Sequence, residues 1–500
     1  MFLEIFCTFV ILFEVLPDWL LDATKLGEIF QTAKRCNDFV YNALLYFLKN
    51  NYGFKVSIKK YKLTTNVMKP NFIVLFLLII LLACQSDSDV MAPESKGGES
   101  APPLIPRQDI ELTSVEKQLS ESSNTFAFNL LKTVYADKDE KDKNILISPL
   151  SATLALSMLN NGTVGATGEE IRQTLGFGDV SNEVINSYAQ KIVNAMQTLD
   201  PRGVFESANS IWIQNEFPVL NTFKQINQQY YEAEIQNVDF SKPSTVNLIN
   251  NWTSEKTHGK IPEILNEIDP FTRLILSNAL YFKGYWTEHF DKNLTFDAQF
   301  HTSTGEKQTV PTMKNTFHNH YTKVDNCAAA HLPFGNGAFS IVVVLPNEDT
   351  DIRTIIEQMD QEWWENITDY YGKAAVEMYS KNQIFVLNLE IPRFKLEYER
   401  TLNSDLMALG MQTSFSAEKA DFSLISENKP LWISGVKQKT FAQMDEDGME
   451  AAAVTIVGTL GANLYEYIPV DFKVNHPFLY FIKEQSSGLV FFAGVMNKIY

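Results

Sequence analysis

The residues of this chain that could do chemistry do not form any arrangement that enzymes commonly use. The sequence contains no G-x-S-x-G, H-E-x-x-H, G-x-x-x-x-G-K-[ST] or Cys-x-x-Cys motif. Its seven histidines are scattered, and His318 and His320 form the only close pair. Two imidazoles in a polar stretch fall short of the ligand number that a metal site requires. We therefore expect no enzymatic activity, no bound metal and no cofactor.

The four cysteines do not form a disulfide framework. Cys7, Cys36, Cys84 and Cys327 are widely separated in a chain of 500 residues, which is typical of isolated thiols. We expect Cys327 to be a free thiol in the core.

The segment that precedes Cys84 has the pattern of a secretion signal. Phe72 to Ala83 reads FIVLFLLIILLA, a run too short to span a bilayer but of the right length for a signal peptide. A positive flank with Lys69 precedes it, and the LLAC sequence that ends at Cys84 resembles the lipobox of bacterial lipoproteins. This resemblance implies lipid attachment at Cys84. We accordingly divide the chain into an upstream extension that need not be translated (1–67), a lipoprotein signal peptide (68–83), a flexible Ser-, Gly- and Pro-rich tether (84–108) and one folded domain (109–500).

The formal net charge of −18 excludes functions that depend on clustered cations. Nucleic acids and anionic membrane surfaces are both bound mainly through Lys and Arg. We therefore expect no nucleic-acid partner and contact with a membrane only through the lipid anchor. The predicted location is extracytoplasmic, at the bacterial outer membrane, on the cell surface or on the periplasmic side, and the predicted state is a monomer.

The elements that position the functional residues are helices early in the domain and strands later. Helical spacing or capping predicts three helices, and continuous apolar runs predict three buried strands. This order favours an α+β fold over alternating βαβ units. The predicted helices are Leu112–Tyr135, Pro149–Asn160 with Ser148 as N-cap, and Asn247–His258; the predicted strands are Phe339–Leu345, Gln383–Ile391 and Leu489–Val495.

Five motifs in sequence order resemble the serpin family and cover about residues 110–500. They are NILISPLS at 144–151, INNW with THGKI at 249–261, SNALYFKGYW at 277–286, DEDGMEAAA at 445–453, and HPF at 476–478 with FFAG at 491–494. The resemblance implies an α+β serpin fold with three sheets, eight or nine helices and an exposed reactive-centre loop.

The same resemblance implies the function of a one-use inhibitor of serine or cysteine endopeptidases. In this family the protease cuts the loop and becomes acylated. The cut loop then inserts into the central sheet as a new strand and distorts the attached protease, so the partner is held in a covalent complex. The implied hinge of the loop consists of Glu446, Gly448, Met449, Glu450, Ala451, Ala452 and Ala453.

The loop sequence has the properties that insertion requires. Ala451 to Tyr465 reads AAAVTIVGTLGANLY and contains no charged residue, so its burial carries no charge penalty. Alternation places Met449, Ala451 and Ala453 on one face and Glu450 on the other, which would face solvent. Four β-branched residues at 454–457 favour a strand.

Family spacing of sixteen residues after the hinge Glu446 places the reactive bond at Ala462-Asn463. Counting from the distal side widens the window to Leu460–Tyr467, with Ala462, Asn463, Leu464 and Tyr465 as the candidates. No Lys or Arg occurs from Gly448 to Phe472, so a trypsin-like target is not expected. Ala462 suits an elastase-like pocket, and Leu464 or Tyr465 suits a chymotrypsin-like pocket.

Five further residues resemble the family's apparatus for opening the central sheet. Ser148, Ser151 and Asn278 resemble its polar cluster, and we expect Trp286 to pack where the inserting strand enters. Gln438 stands where the family usually has His, although its amide could bridge hydroxyl groups. Met449 replaces the more common Thr or Ser; because methionine is flexible and apolar, we expect insertion to be slower or tolerated but not abolished. The alternative is a non-inhibitory serpin that acts as a binding or scaffold protein, but such a loop usually has charged, bulky or Pro residues at its hinge.

Overall fold

The computed structural model describes residues 105–369, 383–449 and 466–499. Several sequence predictions therefore lie outside the described residues. These are the upstream extension, the signal peptide, Cys84, most of the tether, the hinge residues Glu450, Ala451, Ala452 and Ala453, and the reactive-bond candidates Ala462, Asn463, Leu464 and Tyr465.

Nine α-helices occur in the described residues, and local sequence explains where the first two begin. Thr113 and Glu116 form a reciprocal capping box at the start of α1. Ser148 caps α2, and Pro149 occupies its first turn, where its missing N–H costs nothing. The helices are α1 Ser114–Ala136, α2 Pro149–Asn160, α3 Ala166–Thr174, α4 Asn182–Met196, α5 Asn221–Tyr231, α6 Pro243–Lys256, α7 Ile352–Gln358, α8 Gln361–Thr368 and α9 Asn403–Ala408.

The strands form three sheets. The core sheet has the order β1-β16-β15-β9-β8-β7, the four-stranded sheet β14-β10-β6-β5, and the main sheet β11-β12-β4-β2-β3, with β13 paired to β4. The strands are β1 Ile145–Ile147, β2 Val204–Gln214, β3 Glu234–Val238, β4 Leu274–Tyr285, β5 Phe296–His301, β6 Lys307–His318, β7 Tyr321–Val324, β8 Cys327–Phe334, β9 Phe339–Pro346, β10 Gln383–Pro392, β11 Phe394–Thr401, β12 Gly435–Met444, β13 Gly448–Met449, β14 Glu466–Lys473, β15 Phe478–Glu484 and β16 Val490–Met496.

The main sheet is covered on both faces. On its inner face, Phe282 packs against Phe491 and Phe339 of the core sheet, with ring centroids 5.1 and 5.4 Å apart. Every residue of α2 is buried, and this helix contacts both β4 and β16. On the outer face, α6 covers β2 through Trp252, whose ring meets that of Trp212 edge-on. A strand added to the main sheet would therefore be buried on the inner face.

The predicted elements agree with the structure except at their ends. The α2 helix has the predicted limits, and the predicted strands at 339, 383 and 489 correspond to β9, β10 and β16. The third predicted helix begins at Pro243 instead of Asn247, because proline is well suited to a first helical turn. Three sheets and nine helices in the described residues confirm the predicted α+β serpin fold. No helix among these residues is long and apolar enough to cross a bilayer.

Candidate functional site

The site is a gap between two parallel strands of the main sheet. β12 and β4 pair only through Gly435, Val436 and Lys437, which lie opposite Ile275, Leu276 and Ser277. Among the described residues, β12 has no further pairing with β4 from Gln438 to Met444. The backbone groups on this edge of each strand are therefore available to a strand placed between them.

The far end of this gap holds the beginning of such a strand. β13 is antiparallel to β4, with Gly448 opposite Tyr285 and Met449 opposite Gly284. Gly448 has a φ of 141°, and a Cβ at this position would lie 2.3 Å from the carbonyl oxygen of Gly284. Only glycine fits here without strain, because both the dihedral angle and the close approach exclude a side chain.

Trp286 fixes the turn that precedes Gly448. Its indole Nε1 donates to the carbonyl oxygen of Asp445 at 2.8 Å, and its backbone N–H donates to that of Asp447 at 3.2 Å. The ring stacks on Phe334 with centroids 4.7 Å apart. Trp286 therefore lies beside the start of β13, and its predicted role in strand entry stays a prediction.

Two carboxylates of the hinge are held by cations and a hydroxyl group. Glu446 is 3% exposed, accepts a hydrogen bond from Thr295 Oγ1 at 2.5 Å and lies 3.5 Å from Arg393 Nη1. Asp447 accepts a hydrogen bond from Lys292 Nζ, and this bond raises the pKa of Lys292. These contacts offset the cost of burying two adjacent carboxylates.

The predicted polar cluster lies where β12 and β4 separate. Ser151 Oγ donates to Asn278 Oδ1, and Asn278 Nδ2 in turn donates to Asn209 Oδ1 on β2. Ser148 Oγ donates to the carbonyl oxygen of Phe491 at 2.9 Å. The structure thus brings together Ser148, Ser151 and Asn278 at the closed end of the gap.

Gln438 acts differently from the sequence expectation. Its Nε2 donates to the backbone carbonyl oxygen of Ser148, and its Oε1 accepts from the backbone N–H of Ser148, both at 2.9 Å. The expectation that its amide bridges hydroxyl groups was wrong, because a primary amide can pair with a peptide group through both atoms. Gln438 therefore attaches β12 to Ser148, the N-cap residue of α2.

Sequence reasoning missed the residues that hold the hinge acids. Lys292, Thr295 and Arg393 were not identified, and neither was Asn209 in the polar cluster. The only available signal was the run Asp445-Glu446-Asp447, because such a run near buried segments needs cations. The sequence does not reveal which cations, since Lys292 is 155 residues from its partner Asp447.

The thiol and the two neighbouring imidazoles that the sequence analysis considered have different surroundings. Cys327 is a buried free thiol on β8 whose burial raises its pKa to about 12, as expected of a core thiol. His318 is exposed, whereas His320 is partly buried and stacks on Phe317 with ring centroids 5.6 Å apart. Burial lowers the pKa of His320. Across the described ranges, no group of side chains could hold a metal ion.

The distal end of the predicted reactive-bond window overlaps a strand. β14 begins at Glu466, which pairs with Gln383, and Tyr467 pairs with Ile384. The window Leu460–Tyr467 stays a prediction, because residues 450–465 lie outside the described residues.

The site therefore consists of a main sheet whose strands β12 and β4 are only partly paired, with β13 at the open end of the gap. The family model described as Serpin (serine protease inhibitor) matches residues 121–499. The chain belongs to the serpin family. This confirms the family prediction, and a family of inhibitors agrees with the prediction that the chain is not an enzyme.

Curated relatives match almost over their whole lengths. Serpin B6 of Macaca fascicularis is 33% identical over 383 residues, which cover 75% of this chain and 98% of the relative. The leukocyte elastase inhibitor of Homo sapiens is 33% identical over 389 residues, with 76% and 98% covered.

Solved structures agree with the same family. The native state of tengpin, a thermophilic serpin, has a TM-score of 0.67 at 31% identity and covers 79% of this chain and 98% of its own. Serpin48 of the insect Tenebrio molitor has the same TM-score at 29% identity, with 78% and 100% covered.

Proposed function

We propose that this chain is a suicide-substrate inhibitor of a serine or cysteine endopeptidase with elastase-like or chymotrypsin-like specificity. It presents the loop between β13 and β14 as a substrate and inserts the cut loop between β12 and β4. The protease is then held in a covalent complex with a monomer of this chain.

The agreement of two independent strand registers carries this proposal. Continuing the pairing of Gly448 with Tyr285 by one residue per step brings position 455 opposite Asn278. Continuing the bridge of Gly448 with Asp445 brings the same position opposite Gln438. Gln438 and Asn278 are the next residues after the last β12–β4 pair, Lys437 with Ser277, so one strand fits both edges of the gap without a register shift.

The same register assigns the loop residues to suitable faces. Directly opposed residues share a face of a sheet, so Ala451, Ala453 and Thr455 would join the buried side of Asn278 and Gln438. Glu450 would lie on the outer face opposite Lys283, which is half-buried there. An acid opposite a lysine is a favourable cross-strand pair.

The lengths of β12 and β4 limit the position of the reactive bond, because a strand inserted along their whole length would also separate their three existing pairs. Residue 458 would face Gly435, the first residue of β12, and residue 459 would face Leu274, the first residue of β4. The bond must therefore follow residue 459 and precede β14 at Glu466. This supports Ala462, Asn463, Leu464 and Tyr465 as the candidates.

Incubation with pancreatic elastase, chymotrypsin and trypsin tests the proposal. We expect elastase or chymotrypsin to form a complex that survives denaturing electrophoresis, and we expect trypsin to form none. Mass spectrometry of the released C-terminal fragment identifies the bond. Complete loop cleavage by elastase and chymotrypsin without any covalent complex would instead support the non-inhibitory binding or scaffold role.

We also propose that Cys84 carries a lipid that anchors the chain outside the cytoplasm, at the outer membrane, the cell surface or the periplasmic side. The lipobox-like LLAC sequence at 81–84 supports this proposal. Metabolic labelling with a palmitate analogue in a bacterial host is expected to mark the full chain. The Cys84→Ser variant is expected to lose the label and to leave the membrane fraction.

A further inference from the structure

An exposed apolar pair lies beside the hinge, at the start of the edge strand β5. Leu294 is 54% exposed and Phe296 is 41% exposed. Thr295 between them is turned inward by its hydrogen bond to Glu446. Leu294 ends a short 3-10 helix and Phe296 begins β5, and both side chains remain exposed beside the hinge.

A cavity of about 640 Å³ opens next to Phe296. Its walls combine the Phe296 ring and Pro311 with charged side chains that include Asp297, Asp445, Lys292 and Arg393. Exposed aromatic residues beside a pocket are typical of the residues that dominate protein–protein binding energies.

The charges of this cavity leave an excess of carboxylates. Lys292 is paired with Asp447, and Arg393 faces Glu446. Asp297 and Asp445 have no ion pair with any described residue, although Asp445 Oδ1 accepts from the backbone N–H of Asp447. A negative pocket with an aromatic wall fits the side chain of a Lys or Arg, whose stem packs on the ring while its charge meets the carboxylates.

We propose that Leu294, Phe296, Asp297 and Asp445 form an exosite, that is, a second binding site for the target protease outside the loop. The protease places one of its basic side chains in this cavity. The inference rests on the proposed function, because the occupant is the protease that the loop captures. The contact forms before cleavage, so it raises the rate of association and adds specificity beyond the loop sequence.

The position of the exosite beside the loop indicates that its occupant is the protease bound to that loop. Asp445 and Asp447 of the cavity wall precede Met449, from which the loop departs. The loop from 450 to 465 has sixteen residues, so its midpoint lies at most about 28 Å from either end. A protease domain is roughly 40 Å across. A protease domain bound to this loop is therefore large enough to span the distance to the cavity.

Association rate constants of the full chain with chymotrypsin and elastase test the exosite. We expect Phe296→Ser to lower the rate constant about 5-fold to 10-fold, and Asp297→Asn to lower it about 2-fold to 5-fold with a weaker salt dependence. The number of inhibitor molecules consumed per protease should stay unchanged, because neither residue takes part in insertion.

Phe271→Ser is the matched control. Phe271 is 75% exposed and lies before the first residue of β4. Trp286, which contacts Asp445 of the cavity wall, follows the last residue of β4. The twelve residues of β4 separate the two ends by about 36 Å. This variant should associate at the wild-type rate. Equal rates for Phe296→Ser and the wild type, or an equal loss in Phe271→Ser, would overturn the exosite.

Binding to anhydrochymotrypsin, which lacks the nucleophilic hydroxyl group, separates this inference from the proposed function. Phe296→Ser should raise the dissociation constant of this non-covalent complex by about the same factor. If active protease is not trapped but the Phe296→Ser effect on binding persists, the exosite stands and the inhibitory function fails. If trapping occurs and both Phe296→Ser measurements match the wild type, the inhibitory function stands and the exosite fails.

Discussion

At the scale of single residues, Gly448 and Gln438 give the main sheet its open form. Gly448 turns the chain back into the gap at a φ that other residues rarely adopt. Gln438 makes two hydrogen bonds to one peptide group of Ser148 at the other end of the gap. Gly448 begins β13, and Gln438 attaches β12 to the N-cap residue of α2 beside the closed end of the gap.

Replacement of Gly448 by alanine is expected to destabilise the folded chain. The new Cβ would meet the Gly284 carbonyl oxygen 2.3 Å away at a strained φ, so we expect the free energy of unfolding to fall by about 2–4 kcal/mol. Guanidinium unfolding measures this change. Gly435→Ala in β12 is the control, because nothing lies within 4 Å of its added Cβ. Equal losses in the two variants would contradict this explanation of Gly448.

At the scale of elements, the closed end of the gap depends on the attachment of β12 to α2. The side chains of Ser148, Ser151, Asn278 and Gln438 join a helix cap to two strands, and all four residues are buried. Insertion of a strand must separate β12 from β4 next to this cluster. Its hydrogen bonds therefore oppose opening until the loop supplies replacement partners.

Gln438→Ala is expected to weaken the closed sheet. The variant leaves the buried Ser148 N–H without its acceptor, which costs about 1–3 kcal/mol. We expect a lower midpoint for the first thermal transition and faster loss of inhibitory activity at elevated temperature. Lys439→Ala is the control, because Lys439 lies on the opposite face of β12 in a partly exposed ion pair with Glu399, and such pairs contribute little. An unchanged midpoint in Gln438→Ala would show that the cluster does not hold the sheet closed.

At the scale of the whole molecule, the proposed inhibitor stores free energy in an unfilled sheet. A strand from 449 to 459 would pair with β4 and β12 at once and bury a largely apolar inner face. Each satisfied hydrogen bond contributes about 0.5–1.5 kcal/mol net. In this proposal the native sheet stays open because the uncut loop is still joined to β14, which begins at Glu466.

Cleavage within residues 460–465 is therefore expected to stabilise the protein. After complete cleavage by elastase or chymotrypsin, the melting temperature should rise by more than about 10 °C, in line with a gain of several kcal/mol. Calorimetry of intact and cleaved full-length protein measures the change. A melting temperature that is unaffected by cleavage would refute strand insertion and, with it, the trapping mechanism.

The sequence by itself determined the family, the main elements and the suitability of the loop for burial. These depend on local information, namely ordered motifs, caps such as Ser148, apolar runs such as Phe339–Leu345 and the absence of charge from Ala451 to Tyr465. The tertiary structure decided the register of the gap, the partners of Glu446 and Asp447, and the peptide contacts of Gln438. Those contacts join residues 53 to 290 positions apart, and no local pattern specifies which distant strand edges and cations meet when the chain packs.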